Sequence, residues 1–148
     1  MRGLHCRIPS RHRPWLAPAV LAASAILLHL ACGGRYGFFR DELYFVACGR
    51  RLAWGYVDQP PLIAALARLG WWLSGEGGSV LAFRLPAMLA HAGTVLVAAA
   101  LARQLGGGAP AMALASAAVA VSAVNLAQGH LLTMNVLEIL LWSGTDGS

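Results

Sequence analysis

The chain has 148 residues, 58% of them hydrophobic and only 11% charged, with a mean hydropathy of +0.63. Soluble globular proteins carry about 25% charged residues, so an ordinary water-soluble domain is excluded, and this much hydrophobicity equally excludes intrinsic disorder. The formal charge of +5 comes from 11 basic residues, all arginine, against six carboxylates; no basic stripe with interleaved aromatics is present, so the charge does not point to nucleic acid.

Residues 1–14 hold Arg2, Arg7, Arg11 and Arg13 together with Pro9 and Pro14, and read as a cytoplasmic tail under the positive-inside rule. Residues 15–32, uncharged from Trp15 to Cys32, predict a first transmembrane helix. Eighteen residues rise about 27 Å, close to the ~30 Å hydrocarbon core. A cleaved signal peptide, with a site near Ala31-Cys32-Gly33, is the competing reading, and the later apolar spans favour an uncleaved helix.

Residues 33–84 then form a long external loop that holds four of the six carboxylates: Asp41, Glu42, Asp58 and Glu76. Within it, Asp41 to Trp54 reads as a helix with acids in its first turn and Arg50-Arg51 near its end, the order that the helix dipole favours. Gly55 stops that helix. Asp58-Gln59-Pro60-Pro61 is extended or turned, because proline biases the residue before it away from the helical region. Leu62 to Leu73 is apolar but short, with Arg68 in its middle and Trp71-Trp72 near its end, and reads as an interfacial or re-entrant helix.

Residues 85–102 predict a second transmembrane helix, 103–109 a cytoplasmic turn containing Gly106-Gly107-Gly108, and 110–126 a third transmembrane helix rich in small residues. Residues 127–148 read as an external turn and the start of a truncated helix. The expected fold is therefore an all-α integral membrane fold, with about three transmembrane helices and a long external loop carrying interfacial helices. The polar ending after Trp142 gives the expectation of a piece of a longer architecture. Cys6, Cys32 and Cys48 are odd in number and lack metal-ligand spacing, and read as small packing residues.

Arg40-Asp41-Glu42, just past the first span, is the sharpest cluster. Carboxylates close to a hydrocarbon boundary are solvated, paired or used. Consecutive helical residues point about 100° apart, so Asp41 and Glu42 do not face one reacting atom together. One is then free to act as a general base while the other fixes a helix, a metal or an arginine. The plainer alternative is that Asp41 caps the helix and Glu42 complements its dipole. His29 and His91 each fall inside a proposed span; a haem held by one histidine from each is a competing reading beside a simple polar contact between helices.

The run Tyr36-Gly37-Phe38-Phe39-Arg40-Asp41-Glu42-Leu43-Tyr44, continued by Leu52-Ala53-Trp54-Gly55-Tyr56-Val57-Asp58-Gln59-Pro60-Pro61-Leu62, resembles the first external loop of bacterial family 39 type glycosyltransferases. These are similar to the protein O-mannosyltransferases and the lipid A aminoarabinose transferases. Ala82-Phe83-Arg84-Leu85-Pro86 resembles the same family at its next landmark. The resemblance implies a GT-C-type fold, here truncated, with its active site outside the membrane and a sugar taken from a polyprenyl-phosphate donor. It implies Asp41 as the base that deprotonates the acceptor and Glu42 as its partner. Arg40 and Arg84 become phosphate candidates, and Tyr44 and Asp58 further substrate contacts. The second acidic position of the family falls at Asn135 here, so either Glu138, three residues on and on the same face, substitutes for it or the second acid is missing.

The expected activity is thus inverting glycosyl transfer to a protein, lipid or glycan acceptor. The expected setting is the inner (plasma) membrane, multi-pass, with the amino terminus cytoplasmic and no nucleic-acid partner. No cofactor or metal ligand is assigned; a divalent cation is an alternative to arginine for meeting the phosphate charge. The rival is a non-catalytic membrane protein or transporter piece. Ionisable residues of a transporter belong near the midplane of its helices, whereas here they crowd one loop.

Overall fold

The computed structural model describes residues 13–57, 59–75 and 78–145; within these, helix is the one kind of regular secondary structure, with no strand. Seven helices follow in order: α1 Arg13–Gly33, α2 Arg40–Arg50, α3 Pro61–Ser74, α4 Val80–Gln104, α5 Ala109–Val121, α6 Ala123–His130 and α7 Met134–Thr145. By length and composition Pro14–Gly33 and Val80–Gln104 are each able to cross a membrane, and α5 with α6 makes a third span if the bent pair counts as one. The all-α membrane fold expected from the sequence is the observed one. Asp58 and Glu76, like the amino-terminal tail up to His12, lie outside the described residues.

α4 is the hub, packing against α1, α3, α5, α6 and α7. Two apolar clusters flank it. One joins Ala92 and Val95 to Ala22 of α1. The larger gathers Phe45 and Val46 of α2, Ile63 and Ala67 of α3, Phe83 and Ala87 of α4, and Leu132 and Val136 at the α6–α7 junction. Because a bilayer gives apolar helices no hydrophobic reason to associate, contact depends on close approach and polar links. Both are present. Gly70 of α3 lies so near α4 that a Cβ there would stand 2.6 Å from the Phe83 carbonyl oxygen, and the Ser116 hydroxyl of α5 donates to the Val95 carbonyl at 3.2 Å.

Two elements differ from the sequence reading. The helix expected to reach Trp54 ends at Arg50. The Tyr56 hydroxyl lies 2.9 Å from the carbonyl oxygens of both Cys48 and Arg51 and accepts from the Ala53 N–H, so it satisfies the helix end and folds residues 51–56 back over it. The third span, expected as one helix over 110–126, is broken at Ser122 and bent by 59°. Ser122 is extended (φ −60°, ψ 122°), and its N–H and the Asn125 side chain both turn to the Val119 carbonyl.

Candidate functional site

α1 ends and α4 begins at the same end of the bundle. Phe39 enters α2 in an extended conformation (φ −76°, ψ 156°), and the Glu42 carboxylate reaches back to accept its N–H at 2.9 Å. This is the return half of a capping box, which leaves Glu42 pointing inward. There it is 0% exposed and meets Arg84 of α4, 1% exposed. Arg84 Nε donates to Glu42 Oε1 at 2.8 Å and Nη2 to Oε2 at 2.7 Å, a bidentate pair. The remaining arginine contacts are Nη1 to the Gly33 carbonyl and Nη2 to the Gly37 carbonyl, both at 2.9 Å. Finally the Leu132 N–H donates to Glu42 Oε1 at 3.1 Å.

The carboxylate thus accepts four N–H bonds, and four of the five guanidinium N–H donors are in use. One ion pair joins the end of α1, the start of α2, the second turn of α4 and the link between α6 and α7. Burial of a charge pair is tolerable only with this degree of hydrogen-bond satisfaction.

Asp41, one residue earlier, faces the other way. Its side chain is about half exposed (47%), and its ion pair is with the 90% exposed Arg40, at 3.4 Å. Tyr44 stands at i+4 from Arg40 and i+3 from Asp41, a neighbour of each on the surface of α2, and it is exposed. Two neighbouring acids of the same helix turn are therefore placed in opposite environments. Glu138 lies elsewhere, exposed on α7, where it lines a cavity of about 510 Å³ with Pro60, Leu62, Met134, Leu137 and Trp142. It forms no ion pair among the described residues. Asn135 is exposed on the same helix.

A model of the dolichyl-phosphate-mannose-protein mannosyltransferase family matches residues 58–145, more than half of the chain. The chain belongs to that family. No curated protein and no solved structure matches it. Membership implies a membrane setting and a polyprenyl-phosphate-linked sugar donor. The matched stretch contains α3 to α7, with Arg84 and Glu138, and begins after Asp41 and Glu42. Glu42 is joined to the matched region physically, through the bonds it accepts from Arg84 and Leu132.

Some of this geometry was not legible in the sequence. That Glu42 would hold an arginine was one of several options, but its partner 42 residues away was not identified. The carbonyls of Gly33 and Gly37 and the Leu132 N–H are backbone groups, which no residue pattern reveals. The histidines settle into direct contact: His29 Nε2 and His91 Nδ1 lie 2.8 Å apart, less than the two metal–nitrogen bonds of about 2 Å each that an ion between them would require. His130 lies beside His29, with ring centroids 5.9 Å apart and the planes tilted by 39°. Among the described residues no group of three or more His, Cys, Asp or Glu converges as metal ligands would. Of the cysteines, Cys48 is buried and Cys32 exposed, both as free thiols, and Cys6 lies outside the described residues.

Proposed function

We propose that the chain transfers a sugar from a polyprenyl-phosphate donor to an acceptor hydroxyl at the external membrane face, with inversion, and that Asp41 is the general base. The supporting observation is the split between the two acids: Glu42 is wholly engaged in holding the loop, and Asp41 beside it is half exposed on a helix start fixed by that pair. A base needs a rigid position and an open approach, and Asp41 has both. In the step, Asp41 takes the proton of the acceptor hydroxyl and the oxygen attacks the anomeric carbon. The bond to the phosphate oxygen breaks, and the polyprenyl phosphate leaves with the electron pair.

Arg40, the more exposed partner of Asp41, is the better phosphate contact of the two arginines considered. Arg84 is assigned to positioning, because its donors are already committed. Tyr44, exposed one turn on from Asp41, is proposed as a substrate contact, and Asp58, which lies outside the described residues, keeps the same role on the resemblance alone. The cavity beside Glu138 is apolar and within the size range of ligand pockets, which suits the isoprenoid end of the donor with Glu138 at its polar side. The proposed topology puts the amino terminus in the cytoplasm and this end of the bundle outside the inner membrane.

The test is transfer from a radiolabelled polyprenyl-phosphate sugar in proteoliposomes. Asp41→Asn is expected to lower the rate by on the order of 10² to 10⁴, the usual contribution of a general base, with protein level unchanged. Transfer retained within tenfold would remove Asp41 from the role.

A further inference from the structure

The back of α2 carries a second, separate feature. Leu43, Val46, Ala47 and Arg50 recur at i, i+3, i+4 and i+7 and share one face. On α3, Arg68, Trp71 and Trp72 do the same at i, i+3 and i+4. The helices cross at Gly49, where a Cβ would stand 3.0 Å from both the Ala64 carbonyl oxygen and the Arg68 nitrogen. That close approach brings the two faces together as the walls of adjoining grooves of about 510 Å³ and about 310 Å³, which share Val46, Arg50 and Trp71.

The Arg50 guanidinium sits over the Trp71 ring, 5.0 Å from its centroid. Arg51 lines the larger groove and Arg68 the smaller. All three arginines are exposed, and none is paired with a carboxylate of the described residues.

The height of this groove follows from the packing. Gly70 touches Phe83, four residues into α4, so Arg68 to Trp72 sit level with the end of a membrane-spanning helix. Tryptophan and arginine at that depth lie among lipid headgroups. Arg50 is nine residues from Asp41, about 13 Å along α2 and about 180° around it. The groove therefore faces away from the surface proposed for sugar transfer, which excludes the reacting phosphate as its occupant.

We infer that this groove is a seat for an anionic phospholipid that is not the substrate. Arg50 and Arg68, which line the smaller groove together, take the headgroup phosphate, and the apolar wall of Leu43, Val46 and Ala47 lies along the upper acyl chain. Charge complementarity decides the class of lipid: arginines with no carboxylate partner among the described residues, beside apolar walls, fit a negative headgroup better than a zwitterionic one.

The experiment reconstitutes the chain in phosphatidylcholine vesicles in a W15F/W54F/W142F background, so that Trp71 and Trp72 are the fluorophores. Quenching by brominated phosphatidylglycerol is compared with quenching by brominated phosphatidylcholine. At about fivefold per arginine near the headgroup level, phosphatidylglycerol is expected to reach half-quenching at a mole fraction about 30-fold lower if two arginines take part. R50Q/R68Q is expected to abolish that preference, and R50K/R68K to keep most of it. Equal quenching by the two lipids in the parent protein would overturn the inference, as would a preference that survives R50Q/R68Q. Displacement of brominated phosphatidylglycerol by equimolar undecaprenyl phosphate would overturn it differently, by making the groove a donor site.

Discussion

Replacing Glu42 by Gln keeps the side-chain volume and removes the charge opposite Arg84. In the folded protein Arg84 would remain at 1% exposure with a neutral amide where a bidentate carboxylate stood. Breaking a buried pair by removing one partner costs about 3–5 kcal/mol. The amide also presents one oxygen where Glu42 presents two, so at least one of the N–H groups of Phe39, Leu132 or Arg84 loses its acceptor. A buried donor left unmatched costs a further ~1–3 kcal/mol, and the Phe39 N–H is the one best able to turn to water because Phe39 is exposed.

With that second cost at its low end, because the Phe39 N–H can rehydrate, the expected loss for Glu42→Gln is about 4–6 kcal/mol, a large part of the 5–15 kcal/mol typical of a folded domain. Glu42→Leu combined with Arg84→Met removes both charges and should recover most of it, since a buried pair exchanged for apolar side chains is often neutral. Denaturant unfolding in detergent micelles, followed by far-ultraviolet circular dichroism, measures both. Glu42→Gln within 1 kcal/mol of the parent, or a double variant as unstable as the sum of the singles, would refute the claim that this pair ties the helices together.

Asp41→Asn should change stability by less than about 1 kcal/mol in the same unfolding experiment, because its pair with Arg40 is solvent-exposed; a large loss would make Asp41 structural. Gly70→Ala places a Cβ 2.6 Å from the backbone of Phe83 and should lower stability by about 1–3 kcal/mol, read as a fall in thermal midpoint. Tyr56→Phe should cost about 0.5–1.5 kcal/mol and speed amide exchange at Ala53, whose N–H bonds to the Tyr56 hydroxyl; unchanged exchange would show that the loop closes without it. A cysteine in place of the 98% exposed Trp54, in a cysteine-free background, should react with an impermeant maleimide from outside, and reaction from the cytoplasmic side alone would invert the proposed topology.

Composition and the apolar runs were enough to establish an all-helical membrane protein, because a span must be long, uncharged and internally hydrogen-bonded whatever it packs against. Helix starts were similarly legible: the prolines before α3 and the acids opening α2 act within a single turn. The bend at Ser122 and the early end of α2 were not, since each depends on a hydrogen bond from a side chain, Asn125 and Tyr56, that the local pattern does not assign. The difference in fate between Asp41 and Glu42 was half legible. Helical geometry alone required the two to diverge, and the resemblance of the loop drew attention to both. Which of them is buried was decided only by the position of Arg84, 42 residues away, and by the carbonyls of Gly33 and Gly37 that complete its shell. Sequence fixes where charges are scarce and at which membrane boundary they gather; pairing across helices is a tertiary property, because burial in an apolar surrounding is what forces each charge to find its partner.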